Sequence, residues 1–406
     1  MRGPLGLRRS VLLGGLATIS PMATDMYLSE FPHIADALGV GSTAVQATLT
    51  AYLLPFALCQ LFFGALSDAH GRRPFVIGGS VLLVLGSVVC ALAPTATLLL
   101  AGRVLQGLGG AAASVSGRAM VADLLEGRRA ARAYIAMGTV SALGPIVAPT
   151  LGASIGAVAD WRAIFFAIGL TQLGLLVLAL SVAETLPPER RTTRAVRTLG
   201  PRLAGLAGNA AFRWRLLVTA AGSVGLFAYI SGSPFVAEEI GLSTPHYALD
   251  FATNGLAMLV TSVVCTWLVV RVGREAIMWS GLWLSLLGAA ALCLAALEVA
   301  VVPAVLFGFL CVCGSRGALG GTSFSYAADA APGAAGLALA AMGTTQFGAG
   351  AVAAVLIGVG DGPAVVPVAI VISLAVLVSM AAHTMASRRA AEHRQLEGHP
   401  RVQAKA

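Results

Sequence analysis

The chain has 406 residues, of which 57% are hydrophobic and only 11% are charged. A soluble protein carries about 25% charged residues, so this composition excludes an ordinary soluble domain and points to a polytopic membrane protein. The net charge of +8 could suit nucleic acid, but the basic residues sit at the ends of apolar runs. The one lysine, Lys405, leaves no Gly-Lys-Ser/Thr for an in-chain phosphate loop or ATPase domain. Active transport must then draw on an ion gradient or on another subunit.

The first apolar run follows Arg8 and Arg9 as in a signal peptide, yet it continues through Pro21 and Met22 to Leu28. That is about 20 residues, enough to cross a bilayer, so an uncleaved first helix is expected. Further spans are expected near 44–63, 75–93, 97–119, 133–156 and 163–183, with the first at 10–29. A polar interval follows, then spans near 216–236, 247–270, 276–297, 301–323, 336–357 and 364–386. The expected organisation is therefore a six-helix bundle over 1–183, a linker over 184–215, a second bundle over 216–386 and a disordered tail over 387–406.

Charge sets the orientation. Arg2, Arg8, Arg9, Arg72, Arg73, Arg128, Arg129, Arg132, Arg271 and Arg274 fall on one face, with the arginines of the linker and the basic tail. The opposite loops hold Arg162 beside Glu30, Asp36, Asp160, Glu238, Glu239, Glu298 and Asp361. Both termini are expected in the cytoplasm.

Within the spans the remaining charges are Asp25, Arg103, Arg118 and Arg316, with Asp250 near an outer end. An intramembrane charge costs a few kcal/mol or more (roughly 2.5–3.5 on insertion scales), so it normally faces a cavity or a partner. Asp25 lies about 24 Å from the cytoplasmic start of its helix at 1.5 Å per residue, a depth that Arg103 matches from the outer side. The two are expected to pair. Gly14, Thr18, Pro21 and Asp25 share one helical face, as do Arg103, Gln106, Gly110, Ser114 and Gly117. Each stripe could line a cavity or pack helices through small residues. Arg316 could face the cavity as a second positive group or pair with a backbone carbonyl.

The turn Gly64-Ala65-Leu66-Ser67-Asp68-Ala69-His70-Gly71-Arg72-Arg73 joins the second and third spans. Asp68 precedes Arg72 by one helical turn, so the pair can latch neighbouring helices in one arrangement and release them in another. Arg118 and Asp123 close the fourth span nearby. A second copy, Arg271-Val272-Gly273-Arg274, lacks the aspartate. The six cysteines lie inside apolar runs as small hydrophobes. The histidines, His33, His70, His246, His383, His393 and His399, sit in loops, ends or tail and form no His/Asp cluster. No enzyme, metal or cofactor is expected.

The first turn resembles the loop between the second and third helices of major facilitator transporters, whose fold is all-α with twelve transmembrane helices in two six-helix bundles. Pro21-Met22-Ala23-Thr24-Asp25-Met26-Tyr27-Leu28 resembles the first-helix end of the Bcr/CflA (bicyclomycin/chloramphenicol resistance) branch. Arg103-Val104-Leu105-Gln106-Gly107 is similar to the fourth-helix motif of drug:proton antiporters. Span five, with Gly138, Gly144, Pro145, Pro149, Gly152 and Gly156, resembles the antiporter helix that seals the cavity on the outer side. Gly232-Ser233-Pro234-Phe235 and Gln346-Phe347 also look like this branch.

The resemblance implies proton coupling and substrate handling at Asp25 and Arg103, and a gate at Asp68, Arg72 and Asp123. Candidate cavity residues are Thr18, Pro21, Gln106, Gly110, Ser114, Met137, Ser141, Tyr229, Ser233, Arg316 and Gln346. Many relatives carry a second acid in the first helix; its absence here leans towards neutral drugs such as phenicols. The expected protein is a monomeric exporter in the bacterial plasma membrane that exchanges protons for small, mostly apolar drugs. The same fold could instead export an endogenous metabolite or a self-made antibiotic.

Overall fold

The computed structural model describes residues 7–125, 127–191, 195–329, 335–358 and 362–397. They are helical, with no strand among them. The helices are α1 (Leu7–Asp25), α2 (Phe31–Leu38), α3 (Ser42–His70), α4 (Arg73–Ala91), α5 (Ala96–Leu124), α6 (Gly127–Gly156) and α7 (Trp161–Ser181). After the central interval come α8 (Ala195–Gly208), α9 (Ala210–Glu239), α10 (Thr244–Ala296), α11 (Val301–Asp329), α12 (Ala335–Ile357) and α13 (Val365–Glu397).

Helix α10 is two spans in one. Gly273, at φ 82°, ψ 160°, breaks it into separate membrane-crossing halves. Gly71 ends α3 in nearly the same way, at φ 104°, ψ 160°. That backbone region belongs essentially to glycine, so both Gly-Arg turns depend on it. With α10 counted as two, and α2 and α8 left aside as short connecting helices, the described residues form twelve long helices. The outward side chains fit lipid: Leu58 is 64% exposed, Leu170 71% and Trp267 71%.

Two helix pairs pack through glycine in the same manner. A Cβ on Gly79 would lie 2.6 Å from the Gly109 carbonyl, and one on Gly86 2.7 Å from that of Gly102, so α4 and α5 touch backbone to backbone. In the second half a Cβ on Gly288 would lie 2.7 Å from the Gly308 carbonyl. The halves meet along α3 and α12. Phe56 packs edge-on to Phe347 at 4.6 Å, Thr50 donates to the Ala351 carbonyl at 3.2 Å, and Thr43 donates to that of Gly358.

Helix α8 occupies much of the linker. One expectation needs correction: the tail stays helical to Glu397, because α13 runs on through Ser387-Arg388-Arg389-Ala390-Ala391-Glu392, a stretch rich in helix formers. Asp361 and the tail beyond Glu397 lie outside the described residues.

Candidate functional site

Asp25 ends α1 and is 3% exposed. Its neighbour Thr24 donates to Oδ1 at 2.6 Å. Arg103, on α5, is fully buried. Its Nη1 donates to the Ala23 carbonyl and to Gln106 Oε1, each at 2.7 Å, and its Nε donates to the Thr48 carbonyl at 3.2 Å. The guanidinium lies between two rings, 4.6 Å from the centre of Tyr27 and 4.7 Å from that of Tyr52. Such stacking on a desolvated cation is worth about 2 kcal/mol or more.

Asp25 and Arg103 do not form the expected ion pair. The arginine is taken up instead by the Ala23 carbonyl and Tyr27 ring, each two residues from the acid, and by the Thr48 carbonyl and Tyr52 ring of α3. Arg103 Nη2 is left buried without a hydrogen-bond partner. Sequence spacing gives depth along each helix, but it cannot give the competition from carbonyls exposed where α1 ends.

The other candidates divide by surroundings. Gln106 is buried and donates to Ser87 Oγ at 2.8 Å, extending the Arg103 network to α4. Gly110 faces Phe56 and Tyr52, and Gly117 faces Leu16, so much of this stripe is helix packing. Ser114 is buried, and Thr18 is half-buried with its hydroxyl donated to the Gly15 carbonyl at 2.7 Å. Met137 lies in an apolar cluster with Leu12, Leu13 and Leu16, a packed position here rather than an open wall. Arg316 lies against Gly222 and lines a small cavity with Ser285 and Ser379, with room for about one water molecule. Gln346 is half-buried on α12. Tyr229 and Ser233 are buried within the second half. Tyr229 accepts from Asn254 at 3.3 Å, and Ser233 shares a 3.1 Å hydrogen bond with Tyr247.

The span-five motif holds α1 in place. A Cβ on Gly144 would strike Pro21, one on Gly152 the Met26 carbonyl, and one on Gly156 the Glu30 carboxylate. Pro149 is buried; the side chains of Ser141 and Pro145 lie outside those described. Helix α6 thus clamps the segment bearing Asp25 from Pro21 to Glu30.

At the opposite end, the Gly-Arg-Arg turn is a full network. Arg72 pairs with Asp68, donates from Nε to Asp123 Oδ2 at 3.1 Å, and donates from Nη1 to Ser67 Oγ at 2.8 Å. Gly64 sits against Val115 of α5. Arg118 donates to Gln60 of α3 at 3.0 Å. Sequence reading missed Glu184. Its carboxylate accepts from the backbone N–H groups of Arg72 (3.0 Å) and Arg73 (3.1 Å), capping α4. It also accepts from those of Thr185 (2.8 Å) and Leu186 (3.0 Å). Partial burial pushes the Glu184 carboxyl up, but these four N–H groups outweigh that and hold it below its ordinary value. The cue was a lone acid just past the sixth span.

The second turn has an acid on the other side of its glycine: Asp68 precedes Gly71, whereas Glu275 follows Gly273 and Arg274. Glu275 accepts from Tyr326 and Ser387, each at 2.8 Å, and lies 3.0 Å from His383 Nε2. Arg215 Nη1 lies 2.7 Å from His383 Nδ1. A guanidinium can only donate, so Nδ1 accepts and the imidazole proton sits on Nε2, facing Glu275. His383 is fully buried on α13, near the end of the expected twelfth span.

The Major Facilitator Superfamily profile matches residues 13–354. The chain belongs to the Major Facilitator Superfamily. It is 36% identical over 271 residues to the uncharacterized MFS-type transporter YdgK of Bacillus subtilis, covering 65% of this chain and 67% of that one. It is 32% identical to the chloramphenicol resistance protein of Pseudomonas aeruginosa, over 74% of this chain and 70% of that one. The multidrug resistance protein MdtL of Shigella flexneri is 32% identical, over 60% of this chain and 62% of its own, so the match spans less than two thirds of that relative. Among solved structures, the D-xylose–proton symporter superposes with a TM-score of 0.76 at 16% identity, covering 92% of this chain and 96% of that one. A sulfate-bound peptide transporter gives 0.75 at 13% identity, covering 95% and 96%. At such identities the likeness establishes the fold. This is a multi-pass membrane transporter, and its family and structural neighbours are transporters rather than enzymes.

Proposed function

We propose that this transporter exports small, mostly apolar drugs in exchange for protons, with chloramphenicol-like compounds as the first class to test. The observation that carries the reading is Asp25: an acid buried within the membrane layer, hydrogen-bonded to Thr24 and in no ion pair among the described residues. Such a group is costly unless it gains and loses a proton. The relatives named for chloramphenicol and multidrug resistance support the substrate class.

In this mechanism the arginine-rich face, with both termini, is cytoplasmic, and the membrane is the bacterial plasma membrane. A proton from outside neutralises Asp25. Drug from the cytoplasm or inner leaflet then displaces it as the two bundles rock. Arg103 acts as a positioning residue. It grips the carbonyl of Ala23, and its unpartnered Nη2 offers a donor when Asp25 is ionised. The protein works as a monomer.

The test is drug accumulation in cells expressing the protein, with and without a protonophore. Chloramphenicol should accumulate less on expression, and the protonophore should cancel that difference. A difference that persists without a proton gradient contradicts the reading.

A further inference from the structure

Arg316 of α11 is treated unlike the other arginines inside the spans. Arg103 donates to two carbonyls and to Gln106 and lies between two tyrosine rings, and Arg118 donates to Gln60. Among the described residues Arg316 makes no hydrogen bond, ion pair or ring contact. The titratable group within its electrostatic reach is the Cys313 thiol, which behaves as a small hydrophobe in this setting. Arg316 lies about 22 Å along α11 from its N-terminal end, at 1.5 Å per residue, so its charge belongs deep in the apolar layer. A charge there is costly unless something answers it.

The surroundings supply donors and no carboxylate. The guanidinium reaches across to α9, where a Cβ on Gly222 would strike Nη1. From that same point Ser379 Oγ of α13 is 4.0 Å away. Ser379 is 2% exposed, and its hydroxyl is buried without a hydrogen-bond partner. Ser285, buried on the second half of α10, makes no hydrogen bond among the described residues either. Arg316, Ser285 and Ser379 line one cavity with Gly222, Leu282 and Val312, with room for about one water molecule.

Four helices therefore bring one cation and two uncommitted hydroxyls to a small space with apolar walls. A guanidinium only donates, and each hydroxyl has a proton to give, so the set suits an anion. A water molecule would satisfy the hydroxyls and leave the charge unbalanced. Size then narrows the choice. A halide is little larger than water, whereas sulfate, phosphate and organic carboxylates exceed this cavity.

We propose that Arg316, Ser285 and Ser379 form a chloride site inside the second half of the transporter. The bound ion supplies the counter-charge that the chain itself withholds, and it ties α9, α10, α11 and α13 together. The site does not depend on which substrate the protein carries.

The experiment is thermal unfolding of the purified full chain in detergent, in sodium chloride and in sodium gluconate at equal ionic strength. Wild type should unfold about 3 °C or more higher in chloride, with a shift that saturates as chloride rises. Arg316→Met should lose that shift, and in gluconate it should be at least as stable as wild type, because the unpaired charge is gone. Ser379→Asp, which sets a carboxylate beside the guanidinium, should also lose the shift, and it serves should Arg316→Met fail to fold. Equal unfolding midpoints of wild type in the two salts overturn the proposal. A full chloride shift in Arg316→Met or in Ser379→Asp overturns it as well.

Discussion

The two Gly-Arg turns use one backbone device and different chemistry. Gly71 and Gly273 adopt the same glycine-only conformation, and an arginine follows each. In the first turn Arg72 meets two carboxylates, Asp68 and Asp123, while Glu184 caps the next helix. In the second, one carboxylate, Glu275, serves a tyrosine, a serine and a buried histidine that in turn accepts from Arg215. The first turn is thus cross-braced by charged side chains, and the second is held partly through a buried imidazole. The backbone conformation carries the fold, and the side chains set how firmly each turn is locked.

Breaking the first turn should have the largest effect. Arg72→Ala removes the arginine that joins two acids, one of them largely buried, and should cost about 3 kcal/mol of stability, by analogy with broken buried pairs. Thermal unfolding in detergent checks this, and export should fall at least tenfold. The glycines sharpen the comparison. Gly71→Ala adds a clash with Glu184 to the backbone strain, whereas a Cβ on Gly273 meets nothing within 4 Å. Gly273→Ala should cost about 1–3 kcal/mol from strain alone, and Gly71→Ala more. Equal losses in Tm would show that Glu184 gives way freely.

Glu184→Gln is the next smaller effect, about 1–2 kcal/mol, because an amide oxygen is a weaker acceptor for four N–H groups. Its pH dependence has a definite sign. The folded Glu184 carboxyl sits below its unfolded value, so its stabilisation is present above the unfolded value and is lost as pH falls through the folded one. Wild type should therefore lose stability on acidification in a step that Glu184→Gln lacks. Glu275→Gln should be mildest, about 1 kcal/mol, because that acid is nearly half exposed.

Much of the fold was legible in the sequence because lipid demands long apolar helices, and their count survives errors at the ends. Asp25 and the Asp68–Arg72 turn could be read because charges inside or beside such helices have few explanations. The Arg103 contacts could not be read, since the Ala23 and Thr48 carbonyls and two tyrosine rings come together only in the packed structure. Glu275 and His383 were hidden for a related reason. Each is one of several polar residues at a helix end, and only packing of α9, α10, α11 and α13 brings Arg215, Glu275, Tyr326 and His383 into one cluster.

The most direct measurement is proton flux driven by drug in liposomes holding the purified protein, read by a pH-sensitive dye in the lumen. With an imposed pH gradient, adding chloramphenicol should speed its collapse for wild type, while Asp25→Asn, inserted to the same level, should show only the passive leak. Drug-driven flux in Asp25→Asn equal to that of wild type would contradict the role assigned to this buried acid.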